Sequence, residues 1–113
     1  MHEMSIALSI IDVVDEQARK AEAKAVKEVE MDIGTMSGIE YEALEFALQA
    51  AVQNTIMQSS AIVINRIRAR SECMECGHQF DAASFFSDCP SCKQNNTKLI
   101  CGRELQVKSI VIE

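Results

Sequence analysis

Four of the five cysteines fall into two pairs, Cys73-Met74-Glu75-Cys76 and Cys89-Pro90-Ser91-Cys92, with twelve residues between the pairs. This is a zinc-ribbon spacing. Each Cys-x-x-Cys turn offers two thiolates, and the connecting loop is long enough to bring both turns to one tetrahedral ion. Zn²⁺ held by four thiolates is a closed site with no position left for a substrate. Cys73, Cys76, Cys89 and Cys92 therefore predict architecture, and the function has to lie elsewhere in the chain. Cys101 reads first as a small buried residue and second as a spare ligand or redox thiol. His78, just after Cys76-Gly77, reads as a loop residue near the metal, with an alternative ligand role open to it because imidazole also suits zinc.

The ribbon sits in a chain of 113 residues, enough for one domain or one domain with a small metal-stapled appendage. An apolar fraction of 48% argues against disorder, and with no Trp the core must come from Ile, Val, Leu, Ala and Met. The net charge is −6, which disfavours a nucleic-acid binder and suits a protein that handles cations or meets basic partners. Ile6 to Val14 lacks a basic leader, and no segment is long enough to span a bilayer, so neither a secretory signal nor a membrane partner is expected. Paired Cys-x-x-Cys motifs in such a chain point to metal binding in a reducing cytoplasm rather than to disulfides.

The periodicities predict helix, strand, helix, strand, ribbon, strand. Met4, Ala7, Leu8, Ile11, Val14 and Ala18 mark one face of a helix over 3–20, widened by Ile6, Ile10 and Val13. Val29, Met31 and Ile33 alternate with Glu28, Glu30 and Asp32 in a half-buried strand that Gly34 ends. Ser37-Gly38-Ile39-Glu40 has capping-box spacing, with Ser37 as N-cap of a helix carrying Tyr41, Leu44, Leu48, Ala51 and Thr55. A strand over 61–70, apolar at its start, is expected to be buried on both faces there. In the last strand Leu105 and Val107 share one parity and Ile110 and Ile112 the other, so a bulge or a change of buried face is expected. The fold class is thus α+β: a small three-stranded sheet packed with two helices, into which a four-cysteine zinc ribbon is inserted. The expected division is 1–70 plus 103–113 for the α+β domain and 71–102 for the ribbon.

The chain opens Met1-His2-Glu3. The terminal amine, the first amide nitrogens and the His2 imidazole can lie in one plane, a nitrogen-rich square that suits Ni²⁺ or Cu²⁺ better than Zn²⁺ or Mg²⁺. The initiator Met is expected to persist because His2 is large. Against this stands the plainer reading of a surface histidine at a frayed end. The acids Glu28, Glu30 and Asp32 read as a solvated strand face. No phosphate loop, Ser/His/Asp arrangement or paired carboxylates stand out, so an enzyme is not expected.

The Met1-His2-Glu3 start on a helix, the strand ending Ile33-Gly34, the double Cys-x-x-Cys ribbon and the closing run Leu105-Gln106-Val107-Lys108-Ser109-Ile110 together resemble the HypA/HybF family of hydrogenase nickel-incorporation proteins. The resemblance spans essentially the whole chain. It implies a nickel metallochaperone that delivers Ni²⁺ to the large subunit of [NiFe] hydrogenase with a HypB-type GTPase as partner, and it leaves room for a homodimer. By the same resemblance His2 is the principal nickel ligand, helped by the Met1 amine and nearby amides. Glu3 belongs to the same motif and is implicated in nickel binding or in the docking surface beside it, and Glu40 matches an often acidic position near the nickel site. Cys73, Cys76, Cys89 and Cys92 match the structural zinc ligands. The alternative is a zinc-ribbon module that binds protein or nucleic acid and has no nickel function.

Overall fold

The computed structural model describes residues 2–113, so the part assigned to Met1 lies outside the described residues. The chain forms α1 (His2–Lys20), β1 (Val26–Gly34), α2 (Tyr41–Ala51), β2 (Ala61–Ile67), β3 (Arg70–Cys73), β4 (Gln79–Asp81), β5 (Thr97–Cys101) and β6 (Leu105–Ile112). It divides into two compact units. One comprises residues 1–31, 39–65 and 106–113; the other comprises 32–38 and 66–105. As anticipated from the periodicities, the class is α+β, with two helices, a three-stranded sheet ordered β2-β1-β6 and a second sheet ordered β4-β3-β5.

In the first unit α1 packs against α2. The buried positions of α1 are Ala7, Ile10, Ile11, Val14 and Ala18, which lie at helical spacing along one face. Leu8, expected on that face, is instead 51% exposed, because the stripe turns towards Ile10 and leaves Leu8 at its outer margin. The helix stops in a hydrogen-bonded turn. Glu22 takes a left-handed conformation, the Ala23 N–H reaches the Ala18 carbonyl at 2.9 Å and the Glu22 N–H reaches Arg19 at 3.1 Å. These bonds satisfy carbonyls that the helix end would otherwise leave open.

β1 is the central strand, and the alternation read from the sequence is visible in it. Val26, Val29, Met31 and Ile33 are buried while Glu28, Glu30 and Asp32 are half-buried. Glu30 is not simply solvated. Its carboxylate accepts from the Asn65 amide of β2 at 2.7 Å and from the Ser109 hydroxyl of β6 at 3.3 Å, and pairs with Lys108 at 3.5 Å. It therefore ties both edge strands to the centre. The ends of β1 and β6 are joined by Gly34 N–H to the Glu104 carbonyl at 2.8 Å and Lys24 N–H to the Glu113 carbonyl at 3.0 Å, which makes this pair antiparallel.

Three further expectations need correction. Ser37 is not the N-cap of α2: the helix starts at Tyr41, its N-cap is Glu40 in extended conformation, and no side chain of the cap residue bonds the helix. The intervening Gly38 has φ +83°, a left-handed kink that breaks the Ser37 to Glu40 spacing a capping box requires. Second, α2 ends at Ala51, not near Thr55. Asn54 turns left-handed, and the Thr55 hydroxyl donates to the Val52 carbonyl at 2.7 Å and accepts from the Met57 N–H at 3.1 Å, so Thr55 serves a turn rather than a helix face. Third, β2 ends at Ile67 and is an edge strand with no fully buried residue, because β1 flanks it on one side only; Arg70 already belongs to β3. β6 runs unbroken, and its half-buried positions are Val107 and Ile110, of opposite parity, as a change of buried face requires.

Candidate metal centre

The second unit is organised around the cysteines. β3 pairs antiparallel with β4, placing Arg70 opposite Asp81 and Glu72 opposite Gln79, and with β5, placing Cys73 opposite Thr97. The Arg70–Asp81 pair is also an ion pair at 2.7 Å. Cys73 is the last residue of β3, so the strand delivers it to the first turn. The Gly77 N–H bonds the Cys73 carbonyl at 2.8 Å, and the Cys73 N–H bonds the His78 carbonyl at 2.9 Å. The second turn repeats the first: the Lys93 N–H bonds the Cys89 carbonyl at 2.9 Å, and the Cys89 N–H bonds the Gln94 carbonyl at 2.9 Å. Gly77 and Lys93 occupy equivalent left-handed positions, with φ +78° and +67°. Two like turns thus face each other with their thiols inward.

The ligand atoms of Cys73, Cys76, Cys89 and Cys92 all lie within 4.8 Å of one another. Cys73 Sγ is 3.5 Å from Cys92 Sγ, and Cys76 Sγ is 3.7 Å from Cys89 Sγ. Sulfurs bonded to one Zn²⁺ at about 2.3 Å in a tetrahedron stand about 3.8 Å apart, so the four thiols fit such an ion. They are free thiols, not disulfides. Their electrostatics point the same way. The Cys76 N–H, with that of Glu75, holds the Cys73 thiol below its usual range. Burial pushes Cys89 up, but the N–H groups of Cys92 and Ser91 and the neighbouring thiols outweigh it and bring it down to about 7. At Cys92 the Gln94 N–H favours the thiolate, yet burial and the three other thiols push it up to about 12. Cys76 is also raised: the His78 N–H lowers it, but burial and the Cys89 thiol prevail. Thiols crowded this closely cannot all ionise without a cation between them.

His78 is exposed and outside the thiol cluster; its ring stacks on Phe80 with centroids 6.1 Å apart. Cys101 is half-buried, and its thiol donates to the Arg68 carbonyl at 3.3 Å. Neither joins the four sulfurs.

In the first unit His2, Glu3 and Glu40 come together at one end of the helix pair. His2 is the first residue of α1 and its side chain is 65% exposed. Its Nδ1 stands 4.0 Å from the Glu3 carboxylate. Glu3 Oε2 in turn accepts a hydrogen bond from the Glu40 N–H at 3.3 Å. His2, Glu3 and Glu40, separated by 37 residues in sequence between the last two, therefore meet in space. Sequence reasoning placed Glu40 here only through a resemblance. The hydrogen bond that brings it here crosses between helices and leaves no trace in local pattern. The Glu3 carboxyl is held below its usual range by its own backbone N–H first and by that of Glu40 next.

The family model described as hydrogenase/urease nickel incorporation metallochaperone, HypA, matches residues 1–112. The chain belongs to the HypA family. Hydrogenase maturation factor HypA of Parabacteroides distasonis is 42% identical over 113 residues, covering all of this chain and 98% of the relative. That of Chlorobaculum parvum is 42% identical with both chains covered in full, and that of Geobacter metallireducens is 34% identical over the same span. The solution structure of the nickel metallochaperone HypA from Helicobacter pylori matches with a TM-score of 0.68 at 22% identity, over 97% of this chain and 96% of that one. Another HypA solution structure matches with a TM-score of 0.74 at 24% identity, over 100% and 97%. Both show that the HypA fold is the fold of this chain. HypA proteins are metallochaperones and not enzymes, in keeping with the lack of catalytic motifs read from the sequence.

Proposed function

We propose that this chain is the nickel metallochaperone of a hydrogenase maturation system. It takes up Ni²⁺ at its amino end through His2, the Met1 amine and adjacent amide nitrogens, and passes the ion to the large subunit of a [NiFe] hydrogenase. A HypB-type GTPase is the partner that supplies nickel or drives its transfer, and a homodimer is compatible with the reading. The observation that carries this function is the match to the HypA family along the whole chain, from residue 1 to residue 112. The site supports it: a solvent-facing imidazole on the first residue of a helix is open to an incoming ion. Ni²⁺ is cargo here, and a site built partly from amides that must lose protons releases it more readily than a closed thiolate site would.

The four cysteines form the resident site, for which we propose Zn²⁺. Bound there, the ion supplies charge neutralisation and a crosslink between the two cysteine turns, with no chemistry on a substrate. Free thiols at this spacing suit a reducing cytoplasm. Among the described residues no helix is long and apolar enough to cross a membrane. The reading is tested by metal analysis of the untagged protein followed by nickel titration. One tightly held zinc and one exchangeable nickel per chain are expected; a protein that takes up no nickel would leave only the ribbon-module alternative.

A further inference from the structure

Glu3 is the one acid of the amino-terminal triplet, and a metal-ligand role is the obvious one for it. Its surroundings say otherwise. The side chain is only 17% exposed, whereas the neighbouring His2 side chain is 65% exposed. Its carboxylate takes the N–H of Glu40 at 3.3 Å. The Glu40 N–H is the first donor of α2, and this helix has no cap from its own cap residue. Left without Glu3, that donor would lack its side-chain acceptor at a helix end that attracts negative charge. A carboxylate from the first turn of α1 therefore does for α2 what Ser37 would do in a local capping box. The same contact anchors α1 at the turn that carries His2. A helix terminus otherwise frays, and a frayed terminus would have to be ordered each time an ion is bound.

We propose that the Glu3 carboxylate positions the site and does not ligate nickel: by clasping the Glu40 N–H at the head of α2, it holds the first turn of α1 and presents His2 to the ion. This rests on the nickel reading above for the cargo, but the clasp itself does not need nickel to be tested. The clasp occupies Glu3 Oε2 alone, so the variants must separate it from ligation through Oε1. Glutamine keeps a carbonyl oxygen for that N–H; alanine does not.

Two measurements on the full chain decide it. The first is amide hydrogen exchange at Glu40 and the first turn of α2 without metal, in the native chain, Glu3→Gln and Glu3→Ala. The second is nickel titration by calorimetry of the same three proteins with His2→Ala beside them. Exchange at the Glu40 amide should quicken in Glu3→Ala by about five-fold, the scale of a lost helix cap, and stay near native in Glu3→Gln. Nickel affinity should follow the same order, weakened by about five-fold in Glu3→Ala and largely retained in Glu3→Gln, while His2→Ala loses specific binding. Native-like exchange at Glu40 in Glu3→Ala would overturn the clasp. Loss of nickel in Glu3→Gln as complete as in His2→Ala, with exchange unchanged, would make Glu3 a ligand and overturn the positioning role. If His2→Ala binds nickel as the native chain does, the amino-terminal nickel site fails, and the exchange measurement still decides the clasp.

Discussion

At the scale of single residues, charge is the organising quantity. The four thiols compete for it: Cys89 is drawn down to about 7 while Cys92 is driven up to about 12, so a dication is what lets all four be thiolates together. Removing one ligand should therefore cost the ion. Cys73→Ala and Cys92→Ser are expected to lower zinc content well below one per chain by metal analysis, whereas Cys101→Ser, whose thiol points to the Arg68 carbonyl, should leave it unchanged. Glu30 gives a second prediction. The Asn65 amide, followed by Lys108, lowers its pKa from 4.5, and a depressed carboxyl contributes stability that is present above the unfolded value and lost as pH falls through the folded one. Glu30→Gln should destabilise the protein at neutral pH in a denaturant titration, and the gap from the native chain should close as pH drops below 4.5. The clustering of the four cysteines was legible because their spacing is itself the chemistry. The role of Glu30 was not: a strand alternation shows that it leaves the core, but its partners Asn65 and Ser109 belong to strands far along the chain.

At the scale of elements, what was legible is what repeats. The buried stripe of α1 and the alternation of β1 follow from periods of 3.6 and 2, and both are present. What failed sits where a few dihedral angles decide the outcome. Left-handed Gly38 separates Ser37 from the helix it was expected to cap, and left-handed Asn54 ends α2 early. An apolar run also cannot tell an edge strand from a buried one, which is why β2 misled. One such position carries a strong prediction. Gly102 has φ +113°, and a Cβ there would lie 2.5 Å from the Ala69 Cα. Gly34 is as tightly placed, since its own Cβ would meet the Gly102 carbonyl oxygen at 2.0 Å. Gly102→Ala should cost roughly 2–5 kcal/mol from strain and overpacking together. Gly77→Ala meets no atom within 4 Å and carries only the left-handed penalty. It should cost about 1–2 kcal/mol. Thermal unfolding of the two variants should show that order, and equal shifts would contradict the close packing around Gly102.

At the scale of the whole molecule, the two units depend on different forces. The first has an ordinary apolar interior from α1, α2 and β1, including Val14, Val29, Leu44 and Leu48. The buried cluster around the cysteines holds Cys73, Phe80 and Cys89 with Cys92 against it, so one phenyl ring and the thiols are its substance. A core this small would depend on the ion proposed for the four thiols. Chelation should therefore loosen β3, β4 and β5, read as loss of amide protection there, while the helical circular dichroism signal stays. Simultaneous loss of both would contradict a metal-dependent second unit beside a metal-independent first. The nickel site proposed at the amino end does not draw on the thiols. Nickel titration of the native chain against one carrying a few extra residues before Met1 tests it most directly, because the extension turns the terminal amine into an ordinary amide and leaves the His2 imidazole in place. One nickel per native chain and loss of specific binding in the extended one are expected; equal binding by both would rule out an amino-terminal site.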